Sequence, residues 1–193
     1  MDRKILMLGW GHPPNIEGGL DIHVAHLYEE LQKKGVEIDL ALPEEKVPEK
    51  TDIIPIETEN GDMKVRARSM SQEVVELAES YDIIHTHDWF GAEPGYKARK
   101  YSDTKWVSTI HSLCSERNRN PSQRIKNLEG VIANQSDQMI AVSNSLAEKV
   151  RKNYGRTPKV IHNGFSTPNY RGEDVKEKLG IENNMIFYVG RHA

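Results

Sequence analysis

The sequence predicts an α/β domain built on a doubly wound, Rossmann-like parallel sheet. Two observations support this fold class. Short apolar runs alternate with amphipathic stretches along the chain, and the first strand–helix–strand unit fits into about 40 residues. A unit of that length implies a right-handed crossover between parallel strands. With six or seven strand candidates, the sheet is expected to carry helices on both faces.

The first unit of this alternation is the clearest. Residues 4–8 (KILML) form an apolar run that ends in a glycine- and proline-rich loop over residues 9–19. A helix is predicted next, because apolar residues recur at helical spacing, namely Leu20, Val24, Leu27 and Leu31. Gly35 marks its C-terminal end, and residues 36–42 (VEIDLAL) follow as the second strand.

The alternation continues to about residue 165. Further strands are predicted over residues 52–56, 82–86, 105–110, 138–142 and 159–162, with the clearest helices over 63–80 and 145–154. Beyond them come a polar connection (166–172), a short charged helix (174–179) and one more strand (185–189). A last strand without a covering helix is a poor end to a parallel sheet, so it either pairs with the main sheet as an edge strand or begins a second domain, and we favour the second. We therefore predict a Rossmann-like domain over 1–165, and over 166–193 a linker plus the first strand of a second domain.

Composition excludes several function classes. The 29 acidic and 26 basic residues give a formal charge of −3, so no broad positive field would attract nucleic acid. No apolar run is long enough to predict an integral membrane segment. Cys114 is the single cysteine and the sequence shows no secretory signal, so a reducing, cytoplasmic location is expected.

The loop after the first strand is the first candidate site. Gly18 and Gly19 precede the predicted helix, where exposed N–H groups and the helix dipole favour an anionic ligand. The two glycines equally suit a tight entry into the helix. A dinucleotide site is disfavoured, because Pro14 interrupts the G-x-G-x-x-G pattern and Asp39 lies within its strand, short of the strand's end.

Histidines mark the end of the strand predicted over 82–86. His85 and His87 are two residues apart, so in an extended chain they share a face. Together with Asp88 they could ligate zinc, but no second histidine or cysteine pair has matching spacing, and we predict no metal site. Asp88 and Trp89 also suit a sugar, through hydroxyl hydrogen bonds and ring stacking. Alternatively, His85 packs in the sheet and the rest form a polar loop.

A third strand end adds further polar residues. His111 follows the strand predicted over 105–110, and Glu116 and Arg117 follow shortly after it. One polar strand end is routine, whereas three at the same edge of a sheet indicate a cleft.

Taken together, these segments resemble the N-terminal domain of GT-B-fold retaining glycosyltransferases, in particular the glycogen and starch synthase-like branch. The resemblance rests on an ordered set of motifs that spans essentially the whole chain: Pro14–Leu31 with its Gly-Gly-Leu, 85–89 (HTHDW), 109–111 (TIH), 137–143 (DQMIAVS), 162–164 (HNG) and 188–191 (YVGR). It implies that most nucleotide contacts come from a C-terminal domain that is absent from this sequence.

The resemblance also implies residue roles. His111 and Asp88 are the implied catalytic residues, with His111 beside the transferred sugar, where it would hydrogen-bond a hydroxyl. The implied donor- and substrate-binding residues are Gly18, Gly19, His87, Trp89, Glu116 and Arg117. Ile16 stands where some synthases carry a lysine that contacts phosphate, which weakens the case for glucan synthesis in particular.

The reaction implied by the resemblance is transfer of a hexose, with glucose favoured, from a UDP-, ADP- or GDP-sugar to a saccharide hydroxyl with retained configuration. No cofactor or bound metal is implied. The partners are the sugar donor, the saccharide acceptor and the missing C-terminal domain. Because a leaving diphosphate needs preorganised positive charge, this chain alone is expected to be inactive or nearly so.

Two other functions remain open on the sequence. A nucleotide-sugar 2-epimerase would share the glycine loop but would use acid and base carboxylates. A sugar- or partner-binding module without chemistry would gain support if 193 residues were the natural length. The position of the gene's stop codon would therefore discriminate between a half-enzyme and a binding module.

Overall fold

The computed structural model describes residues 3–117, 119–165 and 174–188. The chain divides into two compact units, Met1–Asn163 and Gly164–Ala193. The strands of the first unit are β1 (Ile5–Leu8), β2 (Ile38–Pro43), β3 (Ile54–Ile56), β4 (Ile83–His87), β5 (Lys105–Ile110), β6 (Gln138–Ala141) and β7 (Lys159–Val160). Within the described residues they form one sheet in the order β3-β2-β1-β4-β5-β6-β7, and every neighbouring pair is parallel. This confirms the predicted fold class.

Helices connect the strands of the first unit. They are α1 (Gly19–Lys33), α2 (Met63–Ser69), α3 (Ser71–Ala78), α4 (Ala92–Tyr101), α5 (Cys114–Arg117), α6 (Gln123–Gln135) and α7 (Asn144–Tyr154). Within the part of the chain that the structure describes, no helix is both long enough and apolar enough to cross a bilayer.

The core has two parts because side chains alternate along each strand. Leu6 and Leu8 of β1 pack in a large cluster with side chains of α3, α4, α6 and α7. Met7, between them, packs in a smaller cluster with Val24 and Tyr28 of α1. Helices therefore cover both faces of the sheet, as the doubly wound prediction requires, and α1 lies on the face to which Met7 points.

The predicted helix over residues 63–80 is two helices in the structure, α2 and α3. The break falls at Ser69 and Met70. The Ser69 hydroxyl donates to the carbonyl of Arg66 at 2.8 Å and accepts the N–H of Glu59 at 3.0 Å, which ties the end of α2 to the preceding loop.

The second unit contains one short helix in its described part, α8 (Val175–Lys178). The Asp174 carboxylate caps it by accepting the N–H of Lys176 at 2.9 Å. Residues 185–188, predicted as part of a strand, are not in a strand in the described structure. The predicted connection over 166–172 and the last residues of the YVGR motif, from Val189 on, lie outside the described residues.

Candidate functional site

The candidate site lies where β1, β4 and β5 end. These three strands are adjacent, and the strand order changes direction between β1 and β4. In an open parallel sheet, the segments that leave the strands at such a switch point diverge and create a crevice beyond the carboxyl ends. The loop after β1, the turn after β4 and the segment after β5 therefore meet at one edge.

Strand register decides which side chains share a face there. Met7 is paired with His85, and His87 is paired with Thr109. Because Met7 points toward α1, the two histidines and Thr109 lie on the same face of the sheet as α1. The Nε2 atom of His85 lies 2.9 Å from Oγ1 of Thr109, which links β4 to β5 on this face.

Four imidazole rings form a cluster on this face: His23, His85, His87 and His111. The Nδ1 atom of His87 lies 3.2 Å from Nε2 of His111. The ring centroids of His85 and His87 are 4.5 Å apart, and those of His23 and His111 are 4.7 Å apart in an edge-on contact. His87 is fully buried and its Nε2 atom has no hydrogen-bond partner among the residues that the structure describes, whereas the other three rings are partly exposed.

The environment keeps these rings uncharged. Burial lowers the pKa of His23, His85 and His111 to about 4 in each case. Neighbouring histidines add to this effect for His23 and His85, and Arg117 adds to it for His111. Burial also lowers the pKa of His87 well below its usual value. At neutral pH each ring therefore carries one N–H donor and one lone pair, so the cluster can hydrogen-bond a hydroxyl in either sense.

Asp88 holds the turn after β4 against the segment after β5. Its Oδ1 atom accepts the backbone N–H of His111 at 2.7 Å, and its own N–H donates to the carbonyl of Thr109 at 2.8 Å. Its Oδ2 atom accepts a hydrogen bond from Arg117 at 2.6 Å. Burial raises the pKa of Asp88, while Arg117 and the N–H of His111 oppose that rise. Both carboxylate oxygens are thus engaged, Oδ1 with the backbone of His111 and Oδ2 with the side chain of Arg117.

The backbone of Asp88 is itself strained, with a φ of 51°. A non-glycine residue adopts this conformation only where its surroundings impose it. Here the hydrogen bonds to Thr109, His111 and Arg117 supply that constraint. Arg117 is in turn fixed by Ser112, whose Oγ accepts from its Nε at 2.5 Å.

A buried side chain of α1, Asp21, binds the backbone of the glycine loop. Asp21, in the first turn of α1, is 3% exposed, and its Oδ2 atom accepts the N–H groups of Glu17 at 2.6 Å and Gly18 at 3.1 Å. The Gly18 N–H is therefore already paired. A Cβ added at Gly19 would meet nothing within 4 Å, so the space beside the Gly19 backbone is open.

Trp89 and Glu116 are held by protein contacts. Trp89 is 9% exposed and packs in the larger core cluster, so it stabilises the turn more than it offers an open ring face. Glu116 accepts the N–H of Leu113 at 2.9 Å and pairs with Lys149. Burial works against ionisation of Glu116, but these two partners hold its pKa below the usual value.

The structure thus brings together His87, Asp88, His111 and Arg117 among the residues predicted from sequence. Sequence reasoning missed His23 and Asp21, which the first two turns of α1 bring to the same edge. His23 lies next to Val24 and three residues after Leu20, on the apolar side of α1. This position beside the apolar residues was the only signal for His23 in the sequence.

These features define a class of fold, the Rossmann-like domain of GT-B glycosyltransferases. One solved structure illustrates the likeness, Anabaena HepE in complex with UDP and glucose. Its TM-score is 0.68 at 21% identity, with 94% of this chain and 51% of that chain covered. At that identity the likeness supports the fold.

Sequence comparisons give the family. Residues 17–168 match the model of Glycosyltransferase Family 4, and the chain belongs to that family. An uncharacterized glycosyltransferase of Methanocaldococcus jannaschii is 31% identical over 97% of this chain and 55% of its own length. Glycogen synthase of Mycobacterium tuberculosis is 25% identical over 97% of this chain and 54% of its own length. The predicted resemblance is confirmed, and the chain spans about half the length of these curated relatives.

Proposed function

We propose that this chain is the acceptor-side N-terminal half of a retaining hexosyltransferase. The donor would be a UDP-, ADP- or GDP-sugar, and the acceptor a saccharide hydroxyl. The observation that carries the proposal is the position of His111. Its neutral ring lies at the carboxyl edge of the sheet, and Asp88 fixes its backbone. Glucose is the first candidate for the hexose, since HepE, a structural neighbour, was solved with UDP and glucose.

In this proposal His111 binds a hydroxyl of the transferred hexose. A ring held by its own backbone hydrogen bond loses little conformational freedom when it binds a sugar, so the sugar is oriented at small entropic cost. Gly19 offers its backbone to the diphosphate, because the space beside it is open and it begins α1. Asp88 and Arg117 act as positioning residues through the backbone of His111.

Retention of configuration is the favoured stereochemistry. A double-displacement mechanism needs a free carboxylate nucleophile. Among the described residues of this edge, Asp21 accepts backbone N–H groups, Asp88 binds His111 and Arg117, and Glu116 binds Leu113 and Lys149. For a retaining enzyme, that arrangement favours attack on the same face as the departing diphosphate, with the phosphate itself accepting the proton of the acceptor hydroxyl.

The charge distribution supports inactivity of the chain alone. A leaving diphosphate needs cations or oriented N–H groups to stabilise it. In the described part of the chain, Lys46 pairs with Glu17 at 2.7 Å, and Arg66 pairs with Glu45. Arg117 pairs with Asp88. We therefore propose that a second domain supplies the missing positive charge. We also propose a cytoplasmic location, since the free thiol of Cys114 is compatible with a reducing compartment.

The test is an assay of the full-length protein against UDP-, ADP- and GDP-glucose with a saccharide acceptor. We expect acceptor-dependent release of one nucleoside diphosphate and a product whose anomeric configuration, read by NMR, matches that of the donor. The isolated 193-residue chain should give no release above background. An inverted product, acceptor-independent release, or full activity of the 193-residue chain would each contradict the proposal.

A further inference from the structure

Three histidines from three different elements converge at the candidate site. His23 comes from α1, His87 ends β4, and His111 follows β5. One ring nitrogen from each lies within 4.8 Å of the other two. Their separation in sequence explains why spacing alone did not reveal the group. Of the two histidines first considered as metal ligands, His87 belongs to this group and His85 does not.

The geometry of the group suits a tetrahedral metal ion. Zinc binds imidazole nitrogens at about 2.0–2.1 Å, so two ligand nitrogens of a tetrahedral site lie roughly 3.3–3.4 Å apart. The observed distance between Nδ1 of His87 and Nε2 of His111 is 3.2 Å. His23 has to approach by about 1 Å more to complete the set, and its partly exposed side chain can make that adjustment.

The protonation of the rings also suits a cation. One imidazole binds a given ion through one nitrogen only. With Nδ1 of His87 as the ligand, its buried Nε2 atom, which has no hydrogen-bond partner among the described residues, carries the ring proton. The rings are also neutral at neutral pH, so each has a lone pair to offer a cation.

We propose that His23, His87 and His111 form a binding site for a late first-row divalent cation, with Zn²⁺ as the principal candidate. Three imidazoles without a carboxylate favour Zn²⁺ over Mg²⁺ or Ca²⁺, which prefer oxygen ligands. The metal site shares His111 with the place where the proposed function puts the hexose. Bound metal therefore inhibits hexose transfer by occupying the nitrogen of His111, a consequence that rests on that proposed function.

Metal binding is tested on the 193-residue chain, without any transfer assay. Metal-free protein is titrated with Zn²⁺ against a chromophoric chelator, and with Co²⁺, whose visible absorption reports tetrahedral coordination. We expect one site with a Kd of about 1 μM or tighter. His23→Ala should weaken binding at least about tenfold. His26→Ala, which removes an exposed histidine of the same helix, should leave binding unchanged.

The outcomes separate cleanly. His23→Ala is the main variant because His23 is partly exposed and its loss is compatible with folding, which a circular dichroism spectrum checks. Absence of a stoichiometric site, or equal affinity in His23→Ala and wild type, overturns the proposal. If Zn²⁺ binds at this site but leaves transfer by the full-length protein unaffected, the metal site stands, and the placement of the hexose at His111 is wrong.

Discussion

At the scale of single residues, Asp88 is the position on which the site most depends. It combines a φ of 51° with hydrogen bonds to the N–H of His111 and to Arg117. Asp88→Ala leaves the N–H of His111 without its acceptor and removes the buried partner of Arg117, which keeps its hydrogen bonds to Ser112. We expect the free energy of unfolding to fall by about 2–3 kcal/mol. Chemical denaturation measures it, with Asp103→Ala, an exposed aspartate, as the control. Equal stability of the two variants would contradict a stabilising role for the hydrogen bonds of Asp88.

Gly19 gives a second test at this scale. Because a Cβ there meets nothing within 4 Å, Gly19→Ala should fold normally. If a diphosphate approaches the Gly19 backbone, the added methyl group obstructs it. We then expect the KM for the sugar donor in the full-length protein to rise roughly tenfold, the equivalent of one lost hydrogen bond. An unchanged KM would place the diphosphate elsewhere.

The sequence predicted some of these residues and missed others for physical reasons. His111 and Asp88 were predictable because each comes directly after an apolar strand. Their hydrogen bond was not, since it depends on the pairing of β4 with β5. His23 looked like one polar residue of an amphipathic helix, and only the packing of α1 on the sheet shows what it contacts.

At the scale of elements, the packing of α1 positions both Gly19 and His23. Val24, the next residue, is fully buried in the cluster that includes Met7 and Leu40. Val24→Ala should lower the free energy of unfolding by about 1.5–3 kcal/mol through lost burial and a cavity. Val65→Ala, at a valine with 37% exposure, is the matched control and should cost clearly less. Thermal unfolding of both variants checks the difference, and equal losses would mean that α1 is not anchored by this contact.

At the scale of the whole molecule, the buried histidine cluster predicts sensitivity to mild acid. The pKa of His85 falls from the ordinary 6.5 to about 4 on folding, and those of its neighbours fall too. Between these values the unfolded chain binds more protons than the folded one, so stability is present above pH 6.5 and is lost as pH falls toward 4. We expect His85 alone to account for a loss of roughly 1–2 kcal/mol between pH 6.5 and about pH 5, where carboxyl groups titrate little, and its neighbours to add to that loss. Urea unfolding in EDTA measures it, and a flat profile in that window would contradict neutral buried rings.

The overall fold was largely predictable, because alternation of strand and helix with short connections leaves few parallel topologies. The predicted strand over 185–189 shows the limit of such reasoning. An apolar run can be recognised alone, but a strand exists only when another strand pairs with it, and residues 185–188 are not in a strand in the described part of the chain. The division into 1–165 and 166–193 as parts of two domains stays a prediction.

The central claim is that the carboxyl edge of β1, β4 and β5 binds the transferred sugar through His111. The most direct measurement compares kcat/KM for the sugar donor in wild type, His111→Ala and His26→Ala of the full-length protein. We predict a fall of about 10²-fold for His111→Ala and no change for His26→Ala, with both variants folded. A His111→Ala enzyme that retains wild-type kcat/KM would contradict the claim.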